Sequence, residues 1–343
     1  MKRILAVLIL LTIGIINLYS AKGSKETYSA YIKRTVHPPA IDGVISEEEW
    51  TPSHRFEDFW DHYPRDNTQS AFQTQVHLTY DDEYLYIAAI LFDDHKNHII
   101  QSLKRDREQE YWHSDGFAVT LDPQNNRTNG YIFGVNAGGA KIDGLLSAEN
   151  GRTQMDLNWD NPWSVRVTET QNAWNVEMAI PFKSIKYGKN KIWGINFIRN
   201  DMKRNSFSTW THIPANFQGV DQGYMGTVEL SDIPHYQSGK VFLMPFTISG
   251  IHQDFEAGKY SQWNANAGMD AKIAVSNSLN LDITVNPDFS QVEVDQQVTD
   301  LSRFSIYFPE KRSFFLENSD LFSNLGVKEA RPVFTRRIGY KSG

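Results

Sequence analysis

Apolar and polar residues alternate with a period of two along much of this chain, and the first clear instance is Gln75-Val76-His77-Leu78-Thr79-Tyr80. Asp81-Asp82-Glu83 interrupts it, and Tyr84-Leu85-Tyr86-Ile87-Ala88-Ala89-Ile90-Leu91 returns as a more fully apolar run, which predicts a β-hairpin. At 111–126 a ring pair and a short polar turn precede alternating Phe117, Val119 and Leu121, and Asp122-Pro123 then leads into an Asn-rich turn. That stretch reads as a sandwich strand with a loop at each end, and a ligand is expected near one of those loops. Further strands are expected at 130–136, 141–145, 164–168, 174–181 and 192–199, with turn signals at spacings that suit two packed sheets. Helical periodicity is confined to short stretches near 46–50 and 181–185.

Beyond Pro234 the pattern lengthens. Ala265, Ala267, Met269, Ala271, Ile273 and Val275 alternate with polar or small residues; a tight turn is expected at Ser276-Asn277-Ser278; then Leu279, Leu281, Ile283 and Val285 alternate with Asn280, Asp282, Thr284 and Asn286. Two dyad-patterned segments joined by a short turn are what a membrane β-barrel hairpin requires, although a half-exposed soluble sheet has the same pattern. Residues 240–248 and 333–340 add two more strands. Four strands cannot close a barrel, so the chain reads as the front of something longer. The aromatic and charged stretch 303–317 reads as an inner plug or an ordinary long loop.

Composition narrows the class. Aromatics make up 13% of the 343 residues, which favours strands, and the formal charge of −7 without a basic block excludes a nucleic-acid partner held by phosphate neutralisation. With no cysteine, disulfides, thiolate chemistry and a lipid-bearing cysteine are excluded. Met1-Lys2-Arg3, the apolar run 4–16 and the small residues ending at Ala21 read as a secretory signal cleaved near Ala21, the alternative being an N-terminal membrane anchor, so the mature chain is expected outside the cytoplasm. The organisation is then all-β: signal peptide 1–21, β-sandwich 22–235, and the opening strands of an antiparallel outer-membrane barrel at 236–343.

Several collinear motifs carry a resemblance. Pro39-Ala40-Ile41-Asp42-Gly43-Val44-Ile45 with Trp50, the 76–88 hairpin, Trp112 with Asp115 and Leu121-Asp122, Trp174-Asn175-Val176-Glu177-Met178-Ala179-Ile180-Pro181-Phe182, and Trp193-Gly194-Ile195-Asn196-Phe197 resemble carbohydrate-binding module family 9 over about residues 36–230. That resemblance implies a β-sandwich with structural calcium that grips sugar chain ends between aromatic rings. Asn286-Pro287-Asp288-Phe289-Ser290-Gln291-Val292-Glu293-Val294-Asp295 and Phe308-Pro309-Glu310-Lys311-Arg312-Ser313-Phe314-Phe315-Leu316-Glu317 are similar to a group of outer-membrane proteins in which such a module precedes a large barrel. The sandwich is then expected in the periplasm and the C-terminal part against outer-membrane lipid.

Trp112 aligns with a stacking tryptophan of the module, with His113 and Asp115 as hydroxyl partners, while Trp60, Trp159, Trp163 and Phe217 are further stacking candidates. Ala118 and Gly134 stand where the resemblance places a sugar-contacting glutamate and arginine. Asp93, Asp94, Asp122, Asp143 and Asp160 supply hard oxygens for calcium, which rests on the resemblance. The functions open at this point are oligosaccharide or polysaccharide binding, a structural or transport role with a protein-docking sandwich, and glycoside hydrolysis. No catalytic motif singles out a carboxylate pair.

Overall fold

The computed structural model describes residues 28–234, 241–252 and 262–286, apart from residues 52, 95–96, 150 and 277–278. The expected signal peptide, the turn at Asn277-Ser278, the 303–317 segment and the 333–340 strand lie outside the described residues.

The N-terminal part is a β-sandwich with few, short helices. In chain order its strands are β1 (Ser29–Ile32), β2 (His54–Phe56), β3 (Trp60–Tyr63), β4 (Thr74–Tyr80), β5 (Tyr84–Phe92), β6 (Gly116–Asp122) and β7 (Asn129–Asn136). They continue as β8 (Lys141–Glu149), β9 (Arg152–Asp156), β10 (Ser164–Glu169), β11 (Ala173–Pro181), β12 (Ile192–Asp201), β13 (Ser206–Thr209) and β14 (Gly226–Leu230). One sheet runs β1-β14-β12-β6-β7-β8-β9, with β13 pairing both β12 and β3; the other runs β10-β11-β5-β4-β2. All pairs are antiparallel except β1 with β14. The expected 75–91 hairpin is β4-β5, with Tyr80 opposite Leu85.

Alternation explains the layers. Leu85, Ile87, Ala89 and Leu91 of β5 and Trp174, Val176, Met178 and Ile180 of β11 face Phe117, Val119 and Leu121 of β6 and Trp193, Ile195 and Phe197 of β12 in one core. Each large side chain so buried contributes about 1.5–3 kcal/mol over leaving it in water. Arg199 of β12 ties the two sheets at one end: its Nη1 donates to the carbonyls of Phe72 and Gln73 at 3.2 Å and its Nη2 to that of Phe92 at 2.8 Å.

The Asp42-Gly43 turn and Trp50 lie over the outer face of the second sheet. Gly43 has φ +94°, a conformation L side chains rarely adopt, and a Cβ there would lie 2.2 Å from Thr168. Helix α1 (Glu47–Trp50) follows, with the Ser46 hydroxyl accepting from the Glu49 N–H as its N-cap. Glu177, fully buried, accepts from the backbone N–H of Gly43 at 2.6 Å and of Asp42 at 3.1 Å, and from the Trp50 indole at 3.2 Å. Two of the motifs behind the family resemblance are thus halves of one buried hydrogen-bond knot.

A second short helix, α2 (Glu108–Trp112), occupies the place where a loop was expected before β6. The alternating segments beyond residue 240 form a third sheet, β15 (Val241–His252), β16 (Gln262–Ser276) and β17 (Leu279–Val285), in that order and antiparallel.

Candidate functional site

The outer face of the first sheet carries the site region. Ala118 of β6 and Gly134 of β7 are directly opposed, and the ring of Tyr111, 3% exposed, covers them. A Cβ on Gly134 would lie 2.6 Å from the Tyr111 hydroxyl oxygen, so only glycine lets the ring close down. Burial pushes the Tyr111 phenol well above its usual pKa. Tyr111 joins Ala118, Ile132, Ile142, Leu146 and Ile198 in a second apolar cluster. Where the family resemblance places charged sugar contacts, this chain has an apolar floor of Ala118 and Gly134 beneath the Tyr111 ring.

Beside that floor lies a groove of about 570 Å³ lined by Trp112, Phe207, His62, Tyr63, Glu108, Gln154, Met155, Gln218 and neighbouring backbone. Its size suits a small ligand. Helix α2 ends at Trp112, whose ring packs 5.0 Å from Tyr111 and 5.8 Å from Phe207, so one part of it is anchored and the rest is left partly exposed to the groove. His62 packs edge-on against Phe207 at 5.6 Å and its Nδ1 lies 3.1 Å from the Ile213 carbonyl, a contact that requires Nδ1 to donate. Gln218 accepts from the Thr153 N–H through Oε1 at 2.7 Å, which fixes the amide at the rim. Tyr63 is 51% exposed.

Of the sequence candidates, Trp112 lines this groove, and Phe217 adjoins it, 38% exposed and packed 4.8 Å from Tyr224. His113 is exposed but points its Nδ1 at the Gln109 carbonyl, 2.7 Å away. Asp115 is 2% exposed and accepts from the Ile99 and Met202 N–H groups at 2.9 and 2.6 Å, so its oxygens hold loop backbone. Trp159 and Trp163, each 5% exposed, pack on Phe133 in the core, so their polar loop neighbours misled the surface reading. Trp60 packs on His212 at 5.1 Å, outside the groove. His62, Tyr63, Glu108, Gln154, Phe207 and Gln218 escaped sequence reasoning because they come from β3, α2, β9, β13 and the following loop, which only the folded topology brings together.

The five candidate calcium ligands do not converge. Asp93 meets Lys203 and Arg204 at 2.6 and 3.1 Å, and Asp94 also pairs with Arg204. Asp122 accepts from the N–H groups of Gln124 and Arg127 at 3.2 and 2.7 Å. Asp143 and Asp160 share the Arg105 guanidinium, and Asp143 also accepts from Asn161 N–H and the Trp163 indole at 3.0 and 3.2 Å. Each of these carboxylates thus already has a cationic or N–H partner. Among the described residues no group of three or more His, Asp or Glu is arranged to hold a metal ion. Asp106 in the Arg105 cluster is pushed up to about 6 by burial and by the Asp143 carboxylate.

Fold and groove define a β-sandwich module with an open aromatic cleft. The chain belongs to the carbohydrate family 9 binding domain-like family, whose profile matches residues 41–233. Residues 239–343 match a domain of unknown function, DUF5916. Among solved structures, a carbohydrate binding module family 9 from Caldicellulosiruptor kristjanssonii in complex with cellotriose is 15% identical, with a TM-score of 0.41 over 61% of this chain and 100% of that one. The same kind of module from that organism in complex with glucose is 15% identical, with a TM-score of 0.41 over 60% and 96% of the two chains. A candidate carbohydrate-binding protein from Bacteroides uniformis is 14% identical, with a TM-score of 0.46 over 59% and 99%. No curated protein matches the chain.

Proposed function

We propose that the sandwich is a non-catalytic saccharide-binding module that uses the Trp112 groove, not the covered Ala118–Gly134 floor. The observation that carries this is a tryptophan held by Tyr111 and by the groove-lining Phe207 while its exposed surface faces a cleft rimmed by Glu108, Gln154, Gln218 and His62. A fixed aromatic face receives the C–H side of a pyranose, and the amides and carboxylate receive its hydroxyls. Among the described residues lining the groove Glu108 is the one carboxylate, whereas glycosidic hydrolysis requires two facing ones, which favours binding over cleavage. A glycan array probed with the full chain and with Trp112→Ala tests the reading: retained glycans that the variant loses support it, and an identical profile for both contradicts it.

The third sheet supports a barrel role for the C-terminal part, with the sandwich exported to the periplasm of an outer-membrane protein. Val241, Leu243 and Ile251 of β15 share a face with Trp263 and Met269 of β16 and Leu281, Ile283 and Val285 of β17. These side chains are 38–75% exposed, an apolar face of the kind a barrel turns toward lipid. Among the described residues no helix is long and apolar enough to cross a membrane, which says nothing of strands. Partition of the full chain with outer-membrane fractions, resisting carbonate extraction, is the expected outcome; release by carbonate contradicts the placement.

A further inference from the structure

We propose that the sandwich has a second ligand site, selective for an acidic saccharide, in a groove formed where the outer face of the second sheet meets the start of β8. This groove encloses about 700 Å³ and shares no lining residue with the Trp112 cleft. Tyr84 and Tyr86 of β5, with Ile41 and Pro39 of the crossing N-terminal segment, form its apolar part, and Lys141 and Arg166 form its polar part.

Charge is what sets it apart. The chain carries a net −7, yet no acidic residue lines this groove among the described residues. Arg166, on β10 directly opposite Glu177 of β11, is exposed, and its side chain has no ion pair or hydrogen bond among the described residues. Lys141, which opens β8 in the other sheet, is fixed: its Nζ donates to the Trp163 carbonyl at 2.9 Å and lies 5.0 Å from the Trp163 ring centroid. Burial, with the Arg105 charge, holds this ammonium below its usual pKa despite the opposing pull of Asp143, Asp160 and Asp106 behind it. A partnerless planar guanidinium and a pre-positioned ammonium are the groups that capture a carboxylate by charge-assisted hydrogen bonds.

The ligand class follows from the two halves together. Tyr84 is partly exposed and its ring lies 5.9 Å from that of Tyr86, whose hydroxyl is already committed to Asp81 at 2.8 Å. Tyr84, backed by the buried Tyr86, thus offers apolar surface with Ile41 for a sugar ring, and the cations beside them select one that bears a carboxylate, as a uronic acid does. A free inorganic anion would use only the cationic half. This site rests on its own residues and stands whether or not the Trp112 cleft binds sugar.

Calorimetric titration of the full chain with glucuronate, galacturonate, glucose and inorganic phosphate tests it. The uronates are expected to saturate one site that glucose does not occupy, with Arg166→Ala weakening the uronates about tenfold, as loss of a charge-assisted pair does, and Trp112→Ala leaving them unchanged. Arg166 is exposed, so its replacement leaves the core intact, and Tyr84→Ala is expected to weaken uronate without affecting phosphate. Equal uronate binding by wild type and Arg166→Ala overturns the proposal, and so does uronate binding lost in Trp112→Ala. Phosphate binding as tightly as uronate also overturns it, reducing the groove to a bare anion site.

Discussion

Replacing Glu177 by alanine tests whether the family motifs are structural in this chain. The substitution strands the N–H groups of Gly43 and Asp42 and the Trp50 indole N–H. Asp42 is exposed and its N–H can find water, while Gly43 and Trp50 are buried, Trp50 to 2%. A buried donor without a partner costs about 1–3 kcal/mol, so the two sum to about 2–6 kcal/mol. Burial holds the Glu177 carboxyl above its usual pKa, so the ionised group itself is kept at some cost, which places the net near ~3 kcal/mol. Urea unfolding followed by tryptophan emission reads this directly: with a slope of about 2 kcal/mol per molar, the midpoint falls by ~1.5 M. Trp50→Phe should lose about 1 kcal/mol by itself and less in the Glu177→Ala background, because the bond is already gone. A Glu177→Ala midpoint within about 0.3 M of wild type, or full additivity with Trp50→Phe, would refute the knot.

Other outcomes follow from the charged clusters. Arg199→Met removes the donor shared by Phe72, Gln73 and Phe92 and leaves Asp201 without that partner; about 3–5 kcal/mol of stability should be lost in the same urea assay. Asp106 is held near 6, above its ordinary 3.8, so its contribution to stability is full below the lower value and declines as pH rises through 6. Asp106→Asn should therefore lose less stability than wild type between pH 5 and 7, by about 1 kcal/mol after allowance for solvent screening, read from midpoints at each pH. Because the candidate calcium carboxylates are held by Arg105, Lys203, Arg204 and N–H donors, chelation with EDTA should leave the thermal midpoint of the sandwich unchanged, and a fall on chelation would contradict that assignment.

The sheets were legible because their strands announce themselves by alternation: the β4-β5 hairpin, β6, β7, β8, β10, β11 and β12 all lie where the apolar rhythm places them. Helix α2 was not, since five residues are too few to display a helical period. Strands β1, β3, β13 and β14 are short, and what defines them is pairing with distant segments, such as Phe207 with Tyr63 or Ala30 with Val228. The site was legible only in Trp112. Whether a loop tryptophan faces in or out depends on packing, and Trp159 and Trp163 fill the core beneath Asp160 and Asn161. Asp115 has the chemistry to meet a hydroxyl, yet backbone N–H groups reach it first.

Calorimetric titration of wild type and Trp112→Ala with the best glycan from the array tests the central claim most directly. Saturable binding weakened about tenfold or more by the loss of the indole face is the expected result. A folded wild-type protein that takes up no saccharide at millimolar concentration, or a variant that binds as tightly as wild type, would contradict it.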